Sequence, residues 1–209
     1  MENNLAFVLL AGGKSERMGK PKGLLHFKDT FWLLEQLHKI AKTGISKVYI
    51  GLGFNAEMYF NEIPWLKKSL KNEIFYKNLL VKSIINTNPE LESFSTLQTV
   101  LKKIPSTAIV LNHIDIPVIN ANEFQKIVKT ENTVVVPSYK NKKGHPVLLN
   151  ASFCAILKEI PAESKEARLD IQIKKLPSFN VSVIEVTDPS VITNLNTPED
   201  WKNYVKENS

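Results

Sequence analysis

The chain has a single cysteine, Cys154, among its 209 residues. That rules out an intramolecular disulfide and a multi-thiolate zinc cluster. Ala151-Ser152-Phe153-Cys154-Ala155 reads as helix, which makes Cys154 a buried small residue rather than a reactive thiol. Low cysteine use fits a reducing compartment. Long apolar runs are lacking too. Leu5–Ala11 falls short of the roughly 18 residues of a membrane span. Met1-Glu2-Asn3-Asn4, before it, lacks the positive charge of a signal peptide. The expectation is a soluble cytoplasmic chain that engages no membrane. Eight glycines and eleven prolines are too few for a collagenous or low-complexity sequence. There is no polybasic tract either. The surplus of 27 Lys+Arg over 21 Asp+Glu gives a net charge of +6, scattered in pairs such as Lys67-Lys68 and Lys142-Lys143. Such a surplus suits phosphate-bearing partners. It reads as a solvated face rather than a nucleic-acid surface, so no nucleic-acid partner is expected.

What is present is an ordinary globular composition, with 43% hydrophobic and 23% charged residues. No linker, repeat or charge block divides the chain, so residues 1–209 read as one domain. Short apolar runs alternate with helical patterns, the mark of an α/β fold. Strands are expected at Leu5–Leu10, Lys47–Gly51, Val81–Ile85, Ala108–Leu111, Thr133–Val136, Val147–Leu149 and Val181–Val186. Helices are expected from Phe31 to Ala41 and at Ser95–Lys103, Ala121–Lys129, Ala151–Glu159 and Pro198–Val205. Phe54–Leu80 is ambiguous, with helical spacing and Pro64 near a helix start. Strands separated by helices imply a mostly parallel sheet, with ligands beyond its carboxyl edge.

The loop after the first strand carries the strongest signal. In Leu10-Ala11-Gly12-Gly13-Lys14-Ser15-Glu16-Arg17-Met18-Gly19-Lys20-Pro21-Lys22, adjacent glycines free backbone N–H groups for close approach. Lys14, Arg17, Lys20 and Lys22 add charge, and together these make a cradle for phosphate oxygens. A Walker-type loop would need glycine where Val8 stands inside the strand, and that reading fails. Gly51-Leu52-Gly53-Phe54-Asn55-Ala56 is a short match to a dinucleotide fingerprint, mostly by chance.

Leu10 through Lys22 match the nucleoside-triphosphate transferase signature L-A-(A/G)-G-x-S-x-R-M-G-x-x-K at each fixed place. The chain resembles the MobA-like NTP transferases, the molybdenum cofactor guanylyl- and cytidylyltransferases. His113-Ile114-Asp115-Ile116-Pro117 resembles the family's D-x-P metal motif. Gly144-His145-Pro146-Val147 resembles a motif of the cytidylyl branch. Ser95-Thr96-Leu97-Gln98 is similar to an S-S-L motif in the nucleotide pocket, although Glu92-Ser93-Phe94 replaces the usual preceding glycine. Asn194 through Asp200 resembles a late N-x-N-T-P-E-D motif. The resemblance implies a three-layer α/β/α Rossmann-like nucleotidyltransferase fold with a mostly parallel central sheet. It also implies Mg²⁺, a nucleoside triphosphate and a phosphorylated small-molecule acceptor.

Carried onto this sequence, the resemblance assigns nucleotide binding to Leu10, Ala11, Gly12, Gly13, Lys14, Ser15, Arg17, Lys22, Ser95 and Thr96. Arg17 is expected on the β- and γ-phosphates, where a rigid fork helps. Lys22 is expected on the α-phosphate, and His145, between glycine and proline, either contacts the acceptor or only shapes a turn. Asp115 and Asn196 are the metal-ligand candidates. By themselves Asp115 is an ordinary turn residue and Asn196, with Asn194, a polar turn or N-cap before the Pro198 helix. His26, His38 and His113 have no ligand spacing and read as structural or surface residues. Trp32 and Trp65 read as core. Gly12, where the cytidylyl relatives carry alanine, leaves room for a purine. GTP is therefore expected to be slightly favoured, with Gly12→Ala shifting the preference towards CTP. A sugar- or polyol-phosphate acceptor, a non-catalytic phosphate-binding protein, and a monomer or a homodimer all stay open.

Overall fold

The computed structural model describes residues 5–208. Met1-Glu2-Asn3-Asn4, read above for its lack of positive charge, lies outside the described residues. The fold is mixed α/β around a nine-stranded sheet. At its centre Leu5–Leu10 lies parallel to Lys47–Leu52 on one side and to Ala108–His113 on the other. Leu79–Ile85 continues the parallel set beyond Lys47–Leu52. Val181–Glu185 pairs parallel with Val134–Tyr139 at one edge.

Three short strands break the parallel rule. Val147–Leu149 inserts antiparallel between Ala108–His113 and Val134–Tyr139. Ile74–Tyr76 and Lys142–Lys143 also run antiparallel to their neighbours. In each case the connection to the preceding or following strand is too short for the crossover that parallel pairing requires.

Leu5–Leu10 shows why helices cover both faces. Phe7 and Leu9 enter one apolar cluster; Ala6, Val8 and Leu10 enter the other. A strand buried on both sides reads as a continuous apolar run. On the first face Trp32–Ala41 buries Trp32, Leu33, Leu37 and Ile40, and Ala121–Val128 adds Phe124 and Ile127. On the second face Glu92–Lys103 contributes Leu97, Val100 and Leu101, and Ala151–Glu159 contributes Phe153, Cys154 and Leu157. Each large side chain buried this way stabilises the fold by about 1.5–3 kcal/mol. Burial pushes the Cys154 thiol up to about 12, so it is an inert core group.

The helix Pro198–Asn208 docks beside Trp32–Ala41 through aromatic packing. Trp32 meets Trp201 at 5.2 Å and Tyr204 at 5.4 Å between ring centroids. Trp32 is fully buried as expected, whereas Trp65 is only partly buried and stacks on Tyr76. The ambiguous stretch resolves into two short helices, Ala56–Glu62 and Pro64–Lys68, followed by the strand Ile74–Tyr76. A further helix, Leu169–Lys174, was not expected. Among the described residues, no helix is long and apolar enough to cross a membrane.

Candidate active site

The carboxyl ends of the central parallel strands gather the motifs. Leu10 and His113 sit side by side in register at the ends of adjacent strands. The loop that follows Leu10 folds through two single 3₁₀ turns, Glu16–Met18 and Lys22–Leu24. The Ser15 hydroxyl accepts from the Lys22 N–H at 3.3 Å, joining the two ends of the loop. A cavity of about 610 Å³ opens above it, lined by Leu10, Gly12, Gly13, Lys14, Ser15, Arg17 and Lys22. Phe54, Thr96, His113, Asp115 and Asn196 line it as well.

Lys22 joins residues far apart in sequence. Its Nζ donates to Asp115 Oδ2 at 2.9 Å and to Asn196 Oδ1 at 2.8 Å. Each partner is fixed by its own local structure. Asn112, fully buried, donates from Nδ2 to the Ile116 carbonyl and so braces the turn that carries Asp115. Ile114 N–H donates to the Leu10 carbonyl. Asn196 precedes a reciprocal helix cap. The Asp200 N–H donates to Thr197 Oγ1, and Asp200 Oδ2 accepts from the N–H groups of Asn196 and Thr197. These bonds hold the Asp200 carboxyl below its ordinary value. The Leu195 N–H donates to the Asp115 carbonyl at 2.8 Å, tying the two segments together. The capping reading and the site reading of N-T-P-E-D are therefore compatible, since the cap aims Asn196.

Among the described residues, no group of three or more His, Cys, Asp or Glu side chains lies close enough to hold a metal ion. Asp115 and Asn196 nevertheless present two oxygens to one cation, the Lys22 ammonium. An open set of one carboxylate and one amide oxygen suits Mg²⁺, which keeps waters and takes further oxygens from substrate phosphates.

Several expected residues sit differently. Ala11 is buried, and its N–H donates to the Gly51 carbonyl at 2.7 Å. It does not line the cavity. Ser95 faces away from it as well. Its hydroxyl donates to the Glu92 carbonyl at 2.8 Å, with the Asn88 carbonyl at 3.2 Å, and accepts from Asn86 Nδ2. Asn194 is exposed and bonds back to the Ile192 carbonyl. Gly12 corrects the steric argument for nucleotide choice. A Cβ there would point at the Gly53 nitrogen (3.1 Å), Thr96 Oγ1 (3.2 Å) and the Leu52 carbonyl carbon (3.3 Å), not into open cavity. The residue type at position 12 therefore governs packing of the loop on the next strand. Gly53 is its counterpart, because a Cβ there would lie 2.7 Å from the Gly12 oxygen. The glycines of Gly51-Leu52-Gly53 serve this backbone approach.

His113 is the residue that sequence reasoning passed over. It lines the first cavity and a second one of about 510 Å³. The second cavity adjoins the first at Leu10, Glu92, Ser93 and His113, and also takes in His145, Phe94, Lys143 and Arg168. The two imidazoles meet edge to face at 4.9 Å. Burial, then the neighbouring His113, hold His145 down to about 4, and burial lowers His113 as well. His145 Nδ1 lies 3.4 Å from the Leu111 carbonyl. A carbonyl only accepts, so Nδ1 carries the proton and Nε2 is left as an acceptor.

A glycine-rich cationic loop at the carboxyl edge of a mostly parallel sheet, facing a carboxylate, defines a phosphate-handling α/β enzyme of the nucleotidyltransferase class. The MobA-like NTP transferase domain matches residues 7–176, and the chain belongs to that family. It is 22% identical to the molybdenum cofactor guanylyltransferase of Campylobacter jejuni subsp. jejuni serotype O:6, over 98% of this chain and 97% of that protein. Among solved structures, the Mycobacterium tuberculosis Rv0371c homologue from Mycobacterium sp. strain JC1 superposes with a TM-score of 0.74 at 21% identity, covering 99% and 98% of the two chains. Rv0371c of M. tuberculosis in complex with manganese gives 0.69 at 18%, covering 97% and 98%. HddC of Yersinia pseudotuberculosis complexed with GMP-PN gives 0.69 at 14%, covering 98% and 99%.

Proposed function

We propose that this chain, as a single domain, moves an NMP from a nucleoside triphosphate onto a phosphorylated small molecule of the molybdopterin type. GTP and CTP are the candidate donors, with GTP favoured on the likeness to a guanylyltransferase. The observation that supports this most is the Lys22–Asp115–Asn196 arrangement beside the cationic loop. An acceptor phosphate oxygen attacks the α-phosphorus, the bond from that phosphorus to the bridging oxygen breaks, and pyrophosphate leaves. Such transfer depends chiefly on positioning and charge neutralisation.

Arg17 and Lys14 hold the β- and γ-phosphates. The backbone N–H groups at Gly12 and Gly13 approach the same oxygens. Lys22 leaves its resting partners to reach the α-phosphate, where charge moves during transfer. Asp115 and Asn196 hold a divalent cation, Mg²⁺ in this reading, which supplies further neutralisation of phosphate charge. Leu10, Ser15 and Thr96 complete the pocket wall, and Ser95 positions it from behind. His145, in the adjoining cavity, offers a neutral acceptor atom to the incoming molecule.

The test pairs thermal-shift screening of GTP, CTP, ATP and UTP with Mg²⁺ and pyrophosphate release with molybdopterin as acceptor. Stabilisation by GTP modestly above that by CTP, with stoichiometric pyrophosphate, is the expected result. Binding without release for molybdopterin or for sugar and polyol phosphates would favour a phosphate-binding protein instead. No stabilisation by any triphosphate would overturn the reading.

A further inference from the structure

The helix Glu92–Lys103 begins in a backbone conformation that side chains rarely adopt. Glu92 has φ 64° and ψ −167°, a region used almost only by glycine and costly for other residues. Its surroundings hold it there. The Glu92 N–H donates to the Pro89 carbonyl, and Ser95 Oγ donates to the Glu92 carbonyl at 2.8 Å. Asn86, itself buried, donates from Nδ2 to Ser95 Oγ at 2.8 Å and to Thr96 Oγ1 at 3.0 Å. Glycine would accept this backbone without strain, so what glutamate adds is its carboxylate. Glu92 is exposed, and among the described residues no ion pair engages it.

Its location narrows the use of that carboxylate. Glu92 belongs to the rim shared by the two cavities, with Leu10, Ser93 and His113. With the triphosphate in the first cavity and the acceptor in the second, as in the reading above, the α-phosphorus lies where the two cavities meet. The ribose is joined to it through one oxygen. A carboxylate only accepts hydrogen bonds, and it repels phosphate. Two neutral parts of a guanine nucleotide offer a carboxylate adjacent donors, the N1–H and N2–H₂ edge of the base and the ribose diol. The diol is the one close to the α-phosphorus, and carboxylates serve this role in dinucleotide sites.

We propose that Glu92 binds the ribose 2′- and 3′-hydroxyls of the donor and thereby selects ribonucleotides over deoxyribonucleotides. This rests on the nucleotidyltransferase reading above. Calorimetric titration with Mg²⁺ compares whichever of GTP and CTP binds better with its 2′-deoxy counterpart. Wild type binds the ribonucleotide about tenfold tighter, the worth of one hydrogen bond to a charged group. Glu92→Gly brings the ratio close to one, and its ligand-free melting midpoint rises by about 2–4 °C as the strain is relieved. Glu92→Gln keeps the strained backbone and one neutral acceptor, and gives an intermediate ratio. Ribonucleotide binding with a ratio near one in wild type, or unchanged in Glu92→Gly, overturns the ribose assignment while the nucleotidyltransferase reading stands. Failure of every ribonucleoside triphosphate to bind overturns both.

Discussion

Removing the Lys22 charge is expected to move metal binding and turnover in opposite directions. The ammonium lies 2.9 Å from Asp115 Oδ2 and 2.8 Å from Asn196 Oδ1, so a cation that takes those oxygens has to displace it. Hydrogen bonds to charged groups contribute about 1.5–3 kcal/mol each when shielded. The Lys22 and Asp115 side chains are 12% and 26% exposed, and solvent screening reduces their joint contribution to about 1–2 kcal/mol. Lys22→Met keeps the apolar stem and returns that free energy to the incoming metal. Mn²⁺ should therefore bind the nucleotide-free variant about 5- to 30-fold tighter than wild type. The same variant lacks the cation proposed above to meet the α-phosphate, and its kcat should fall by about 10²–10³-fold. Titration calorimetry with MnCl₂ at constant ionic strength gives the first quantity, and pyrophosphate release the second. Equal or weaker Mn²⁺ binding would refute the placement of the cation between Asp115 and Asn196. Unchanged kcat with a raised KM would take Lys22 away from the reacting phosphate.

Asp115→Ala should abolish metal-dependent turnover and shift the melting midpoint by less than about 4 °C, since the Leu195 contact uses the backbone carbonyl; retained activity would exclude Asp115 as a ligand. His145 rests at about 4, against 6.5 for an ordinary histidine, so between those values the unfolded chain binds the extra proton. Stability should then fall by up to about 3 kcal/mol as pH drops from about 6.5 towards 4. His113, lowered in the same direction, adds to the effect. Urea melts of His145→Asn should have a flatter pH dependence, and an identical slope would count against this account. Gly12→Ala should lower stability by about 1–3 kcal/mol and leave the GTP-to-CTP ratio of kcat/KM unaltered, because its methyl faces Gly53 and Thr96; a shift towards CTP would restore the steric argument.

The central strands were legible because Leu5–Leu10 is apolar without interruption, and a strand buried on both faces needs that. Its predicted and observed bounds coincide. Pro137 made Val134–Tyr139 look shorter than it is, since proline cannot donate to a ladder. Residues 54–80 misled because two helices of about two turns or less and a three-residue strand are too short to establish a period. In the site, the spacing of the loop placed Lys14, Arg17 and Lys22 around one cavity. Asp115 and Asn196 are 81 positions apart, and only their resemblance to ordered motifs suggested a shared cation. His113 carried no ligand spacing, and its role at the junction of two cavities follows from its register beside Leu10. The orientation of Gly12 was illegible, because the direction of a Cβ depends on a partner strand 40 residues away.

The aromatic seam under the site gives the protein a built-in optical reporter. Trp32 Nε1 donates to the Ile114 carbonyl at 2.6 Å, one residue before Asp115. Trp201 stands in the first turn of the helix whose cap orients Asn196, and it meets Trp32 edge to face. Two of the three tryptophans are therefore mechanically joined to the two oxygens that hold the Lys22 ammonium. Displacement of that ammonium is expected to reach both indoles through one carbonyl and one helix cap. Their intrinsic fluorescence should therefore follow the occupancy of the site without a label, against the signal of Trp65, which stacks on Tyr76.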